Sequence, residues 1–309
     1  MKKEGIRDDD CRREKMMKER LSATTTARPA ARVRAVPPMT ALFLIGGLLF
    51  FSSAAAAAST PLPNGAWGQL LETYVKSGRV DYRRLKEKPD LLKESLKEFR
   101  QISRQEYGKW SRAAQIAFWI NAYNLFTIKA VVDDYPPKGW NLLYPKVSIR
   151  QIGGVWAASV YRTAGEVVSL KQIEHQTLRG TLKEPRIHFA LVCASLGCPP
   201  LPAEPYDEET LEQRLDFQVY RYLADPEHGL RWEPDARVLY LSAIFSWFGE
   251  DFDYYYRENK RFPDWSMEKR NALNFVWNYL PQEIVSQLEE SAFEVKYLDY
   301  DWSLNDLSP

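Results

Sequence analysis

The stretch SRAAQIAFWINAYNLFTIKAVV, Ser111 to Val132, carries apolar residues almost all the way round its middle turns. A helix with one apolar stripe lies on a core, whereas one that is apolar on every side has to lie inside it. Ser111 supplies an N-cap, and Asp134 followed by Pro136 and Pro137 forbids continuation. The remaining chain must therefore coat one central buried helix. With 45% hydrophobic and 13% aromatic residues over 309 positions, it has the material to do so.

The coat reads as a mixture of short elements. Trp67 to Val75 has the spacing of an amphipathic helix, Val80 to Tyr82 suits a strand, and KPDLLKESLKEFRQI is a charged helix. In VSLKQIEHQTLRG, Ser169 and Gln172 form a capping box and Gly180 a stop, which predicts a helix between them. Arg186 to Cys193 is a short apolar run of the kind that forms a buried strand, ended by Pro199 and Pro200. A long helix is predicted from Asp207 through ETLEQRLDFQVYRYLA. Leu230 to Trp232 and Val238 to Leu241 flank EPDA as a hairpin. Aromatic-rich helices follow over Ile244 to Phe252, Met267 to Tyr279 and Glu283 to Glu290, with a closing strand from Phe293 to Leu298. Helices outnumber strands without alternating with them, so the expected class is α+β, a helix-rich single domain around a small, mainly antiparallel sheet.

The first 58 residues stand apart, with 11 Lys and Arg against 6 Asp and Glu. Within them MTALFLIGGLLFF, preceded by Arg32 and Arg34 and followed by SSAAAAAS, has the layout of a secretory signal. Its apolar run is short of the roughly 20 residues a membrane span needs. Residues 1–58 are accordingly expected to be a polar leader and signal cleaved near Ala58, leaving 59–309 as one domain in the periplasm or outside the cell. An uncleaved anchor is the alternative, and would be the chain's sole contact with a membrane. The remainder is mildly acidic, 31 Lys and Arg against 35 Asp and Glu, which excludes the concentrated basic face that sequence-independent nucleic-acid binding requires.

Chemistry concentrates in RIHFALVCASLGCPPL, Arg186 to Leu201, which holds one of three histidines and two of three cysteines, with Glu174 and His175 shortly before it. A thiol nucleophile needs an imidazole to take its proton and a polar group to hold that imidazole, and Cys193, His188 and Glu174 supply the three types. The thiolate is the reactive form, so the position of Cys193 before the turn-forming ASLG matters. On an unbroken strand residues five apart point to opposite faces, so Cys193 and His188 meet only if the chain turns between them. His175 is the alternative base. Asn121 and Asn124, three apart on one face of the central helix, either orient such a site or tie the helix to neighbouring backbone. Three other readings stay open for the sulfurs: a Cys193–Cys198 disulfide, two buried small hydrophobes, or a metal site with His175 and His188, for which the CxxxxC spacing is a poor match. No metal and no cofactor is expected. His228, in DPEHG, reads as solvated, and Trp247, Phe248, Phe252 and Tyr254 to Tyr256 as core and rim before a sugar-stacking platform.

Four segments, AFWINAYNLFTIKAVV, SLKQIEHQTLR, PRIHFALVCASLGCPPL and LSAIFSWFGEDF, together resemble the family known as domain of unknown function 547, over roughly residues 92–253. The resemblance implies a domain similar to the papain and transglutaminase superfamily. His188 then matches the histidine of the family's RIHFALVC pattern, Cys193 its cysteine and Glu174 the glutamate of its IEH pattern. Plant members differ at the position of Cys198, which points to Cys193 as nucleophile and away from a family-wide disulfide. The order of histidine before cysteine departs from the superfamily's usual order and requires a rearranged site. Together these readings give an expected thiol-dependent hydrolase or acyltransferase acting on an amide in a peptide, protein or cell-wall substrate, with a non-catalytic envelope binding or scaffold module as the alternative.

Overall fold

A computed structural model describes residues 62–139, 141–158 and 160–307, so the leader and signal lie outside the described residues. The chain enters through α1 (Gly65–Tyr74), a short hairpin of β1 (Val75–Lys76) and β2 (Arg79–Val80), then α2 (Tyr82–Glu87), α3 (Asp90–Gln101) and the single turn α4 (Arg104–Tyr107). The Asp81 and Ser103 side chains accept the backbone N–H three residues on and so start α2 and α4. These helices pack around α5 (Arg112–Asp133), the central helix. Ser111 caps it by accepting from the Ala114 N–H at 3.1 Å, and every residue from Ile116 to Ile128 is buried.

Burial of Asn121 and Asn124 within α5 has a specific cause. Asn124 donates to the Ala190 carbonyl at 3.0 Å and accepts from the Val192 N–H at 2.8 Å. Asn121 does the same for both backbone groups of Tyr206, at 2.8 and 2.9 Å. Each side-chain amide thus behaves as a short piece of neighbouring strand would. The predicted strand over 186–193 is consequently not a strand. Its first half is a 3-10 turn, Pro185–Phe189, started by Glu184 accepting from the Arg186 N–H, and its second half is an irregular stretch whose partner is Asn124. An apolar run alone does not distinguish a strand from any other buried segment.

Between α5 and this turn lie the hairpin β3 (Tyr161–Thr163) and β4 (Glu166–Val168) and a π-helix, Gln172–Leu182. The predicted capping box is realised, Gln172 bonding the Ser169 N–H at 2.8 Å and Ser169 the Gln172 N–H at 3.1 Å. The stop is displaced. Leu182 is buried, so the helix runs past Gly180 and ends where Lys183 adopts left-handed backbone with φ 51°. Further on come α6 (Leu211–Leu223), β5 (Leu230–Glu233), β6 (Val238–Leu241), α7 (Ala243–Phe248), α8 (Asp253–Asn259), α9 (Met267–Val276), α10 (Gln282–Glu290) and β7 (Glu294–Tyr297). The architecture is α+β. Among the described residues, the expected single, mainly antiparallel sheet is instead two separate hairpins and a three-stranded sheet that is mixed because β7 pairs parallel with β6. A parallel return needs a long crossover, which α7 to α10 provide.

Two apolar clusters result, one around α5 and one around Phe245 and Phe275. The Pro185–Phe189 turn bridges them, sending Ile187 into the first and Phe189 into the second, with His188 between. Replacing Asn124 by Ala leaves two buried backbone groups unpaired, and the expected loss of stability is about 2–4 kcal/mol in urea unfolding; an effect within experimental error would refute the strand-substitute role.

Candidate active site

Glu174 and His175 from the π-helix, His188 from the 3-10 turn and Cys193 from the stretch after it line one open pocket of about 380 Å³ at this seam. Its walls are aromatic, formed by Phe248, Tyr123, Trp156 and a cluster in which Trp247 packs on Tyr300 and Trp302. The volume suits a small ligand or one side chain of a larger one.

The imidazoles are held by a pair of residues that the sequence reading did not single out. His188 Nε2 donates to the Asp251 carboxylate at 2.7 Å, and the ring lies flat on Phe248 with centroids 4.2 Å apart. Arg179 donates to the same carboxylate through Nε at 2.5 Å and to His175 Nδ1 at 2.6 Å. A guanidinium only donates, so His175 Nδ1 accepts and its proton sits on Nε2. The arrangement for His188 is the reverse: Nε2 carries the proton, and the neutral ring keeps its lone pair on Nδ1. One imidazole is therefore set up as a base and the other as an N–H donor. Burial opposes ionisation of Asp251, but hydrogen bonds from His188 and Arg179 outweigh it and hold the carboxyl down to about 2.

Glu174 does not orient His188, the role expected of it. Asp251 occupies that position, while Glu174 accepts from the Tyr123 hydroxyl at 3.2 Å. Asn121 and Asn124 hold backbone outside the pocket. Asp251 lies in LSAIFSWFGEDF, a segment whose aromatic residues drew the attention; its place 63 residues from His188 gave no local signal. Trp247 and Phe248, read as core and rim, are pocket wall, while Phe252 is core as expected and Tyr254 is exposed. His228 is not simply solvated, since it pairs with Asp225 at 2.9 Å.

The sulfurs depart further from expectation. Cys193 and Cys198 are joined as a disulfide, against the inference drawn from the family resemblance. The Tyr300 hydroxyl lies 3.1 Å from each sulfur and the Ser195 hydroxyl 3.2 Å from Cys193 Sγ; no imidazole bonds Cys193 among the described residues. Burial raises the Tyr300 phenol well above its ordinary value, so it stays a donor. The turn expected after Cys193 is present and immediate, Ala194 taking φ 60°. What breaks the alternation between His188 and Cys193 is the 3-10 turn Pro185–Phe189 with helical backbone at Ala190, and both residues line one cavity. In the loop after Cys193, the backbone N–H groups of Leu196, Gly197 and Cys198 are spent on the Ser303, Asp301 and Ser195 carbonyls.

The fold and site thus define a helix-rich α+β protein with a disulfide and two oriented imidazoles in one aromatic pocket. Residues 107–223 match the model of the family described as "Protein of unknown function, DUF547", which supports the resemblance over that stretch. The matched residues contain Glu174, His175, His188, Cys193 and Cys198 and stop short of Asp251 and Tyr300. No curated protein and no solved structure matches the chain.

The acid dependence of stability tests the Asp251 pairing. A carboxyl depressed to about 2 from about 3.9 in the unfolded chain contributes stability that is complete above pH 4 and lost as pH falls through 2. The melting-temperature gap between the native chain and Asp251→Asn is therefore expected to narrow steadily as pH falls from about 4 to 2. A gap independent of pH would show that the carboxylate is unpaired.

Proposed function

We propose that this protein is a thiol-dependent acyl-transfer enzyme, an amide hydrolase or acyltransferase, acting outside the cytoplasm and resting in the oxidised state. The supporting observation is that Cys193 shares an open pocket with an imidazole whose Nε2–H is fixed by Asp251 and whose Nδ1 is left as the base. The similarity to papain- and transglutaminase-like thiol enzymes belongs to this proposal and agrees with it. An oxidising compartment, as the signal-like segment implies, suits the disulfide.

A dithiol reductant opens the site. Two thiols of the reductant become its own disulfide, and Cys193 and Cys198 each take up a proton. His188 then accepts the Cys193 proton, and the thiolate adds to the amide carbonyl carbon. Collapse breaks the C–N bond as His188 returns the proton to the leaving amine, giving a thioester on Cys193. Water, or an acceptor amine, attacks the thioester and regenerates the thiol. Asp251, held by Arg179, positions His188 rather than touching substrate. Donors for the oxyanion are the Tyr300 hydroxyl and the His175 Nε2–H, the N–H groups of Leu196, Gly197 and Cys198 being committed.

The disulfide also favours a second reading, an envelope binding module in which the sulfurs are only a clip. The two separate on alkylation. After reduction with dithiothreitol, iodoacetamide is expected to label Cys193 well ahead of Cys198 below pH 7, and His188→Ala to shift that labelling to the alkaline range of an ordinary thiol, about 8.5. Equal, slow labelling of both cysteines with an ordinary thiol profile would end the enzyme reading in favour of the module.

A further inference from the structure

Arg150 lines the same pocket, and its surroundings are unlike those of the other partly buried arginines near the site. Arg179 binds Asp251 and Glu250, and Arg186 binds Glu184, Glu212 and Asp216. The Arg150 guanidinium has no carboxylate or hydrogen-bond partner among the described residues, and its Nε is buried without one. Aromatic faces hold it instead, with Trp302 at 4.0 Å, Trp156 at 4.8 Å and Tyr144 at 5.0 Å from ring centroid to guanidinium carbon.

The position is built. Arg150 sits in a single 3-10 turn, Ile149–Gln151, whose cap Ser148 accepts from the Arg150 N–H at 3.2 Å and donates to the Trp302 carbonyl at 2.6 Å. Ile149 beside it is fully buried and anchors the turn in the core around α5. Aromatic faces hold the two sides of a guanidinium while leaving its in-plane N–H groups unspent, and those groups form the fork that matches a planar anion. A cation without a counter-charge in an aromatic cavity is costly until an anion arrives.

Resting on the thiol-enzyme reading, we propose that Arg150 is the carboxylate-recognition residue of this pocket, and that the substrate is an amide carrying a free carboxylate close to the scissile bond. A single carboxylate fits better than a phosphate. Glu174 also lines the pocket, and its charge opposes a dianion more strongly than a monoanion, whereas Asp251 is compensated by Arg179.

The probe pair is N-benzoylglycine and its carboxamide, which share an aromatic ring and an internal amide and differ only in the terminal charge. Titrated into the full oxidised chain and followed by calorimetry and by emission of the pocket tryptophans, the acid is expected to bind at least about ten-fold more tightly than the carboxamide. Arg150→Gln should abolish the difference and Arg150→Lys should retain part of it, each variant being checked for a native melting curve. Equal affinity for acid and carboxamide on the unaltered protein, absence of binding by both, or discrimination that survives in Arg150→Gln would each overturn the carboxylate subsite. The titration needs no free thiol, so its failure leaves the alkylation result standing, and a failed alkylation leaves the titration readable.

Discussion

A helix with no solvent-facing side imposes one demand on everything around it: the segments that cover it must bring their own backbone hydrogen bonds or find them in the helix. In this protein the helix supplies them. Asn124 offers an amide to the stretch leading into Cys193, and Asn121 offers one to Tyr206. The covering chain is thereby freed from belonging to a sheet and is able to turn sharply at Ala194. A strand in that place would have kept alternating its side chains, with His188 and Cys193 on opposite faces. The irregular backbone at the site is thus a consequence of what the central helix carries at two of its buried positions.

The same logic shows what was legible beforehand. The central helix, its Ser111 cap, the Ser169–Gln172 box and the β5–β6 hairpin rest on residues close in sequence, and each is present. Glu174, His175, His188 and Cys193 are found in one pocket. The misreadings share a different cause. Asp251 reaches His188, and Tyr300 reaches the sulfurs, across 63 and 107 residues, and no local pattern encodes those pairings. Residues 186–193 have the hydrophobicity that burial alone requires, while their hydrogen-bond partner is encoded elsewhere, in α5. Glu174 is the carboxylate near His188 in sequence, whereas Asp251 is the one near it in space.

Polarity in the pocket is divided between its walls. Behind the two imidazoles, Arg179 and Asp251 neutralise one another while fixing which nitrogen of each ring bears a proton, so that support is organised but nearly uncharged. Arg150 brings a positive charge held by rings rather than by a carboxylate. The sulfurs lie under the Tyr300 hydroxyl between hydrogen-bond donors. Such a division separates orientation, which needs firmly paired groups, from recognition, which needs an unspent one.

The segment after β7 has a consequence for the timing of assembly. Tyr300 and Trp302 complete the pocket, while Asn305 bonds the Tyr82 hydroxyl at 2.8 Å across 223 residues and Leu307 pairs with Val80. Closing so long a loop carries a large entropic cost, and contacts of that range form late in folding. The two cysteines are only five positions apart and need no such closure. The two sulfurs are therefore neighbours whether or not the last residues have docked, whereas the cavity around them exists only once they have.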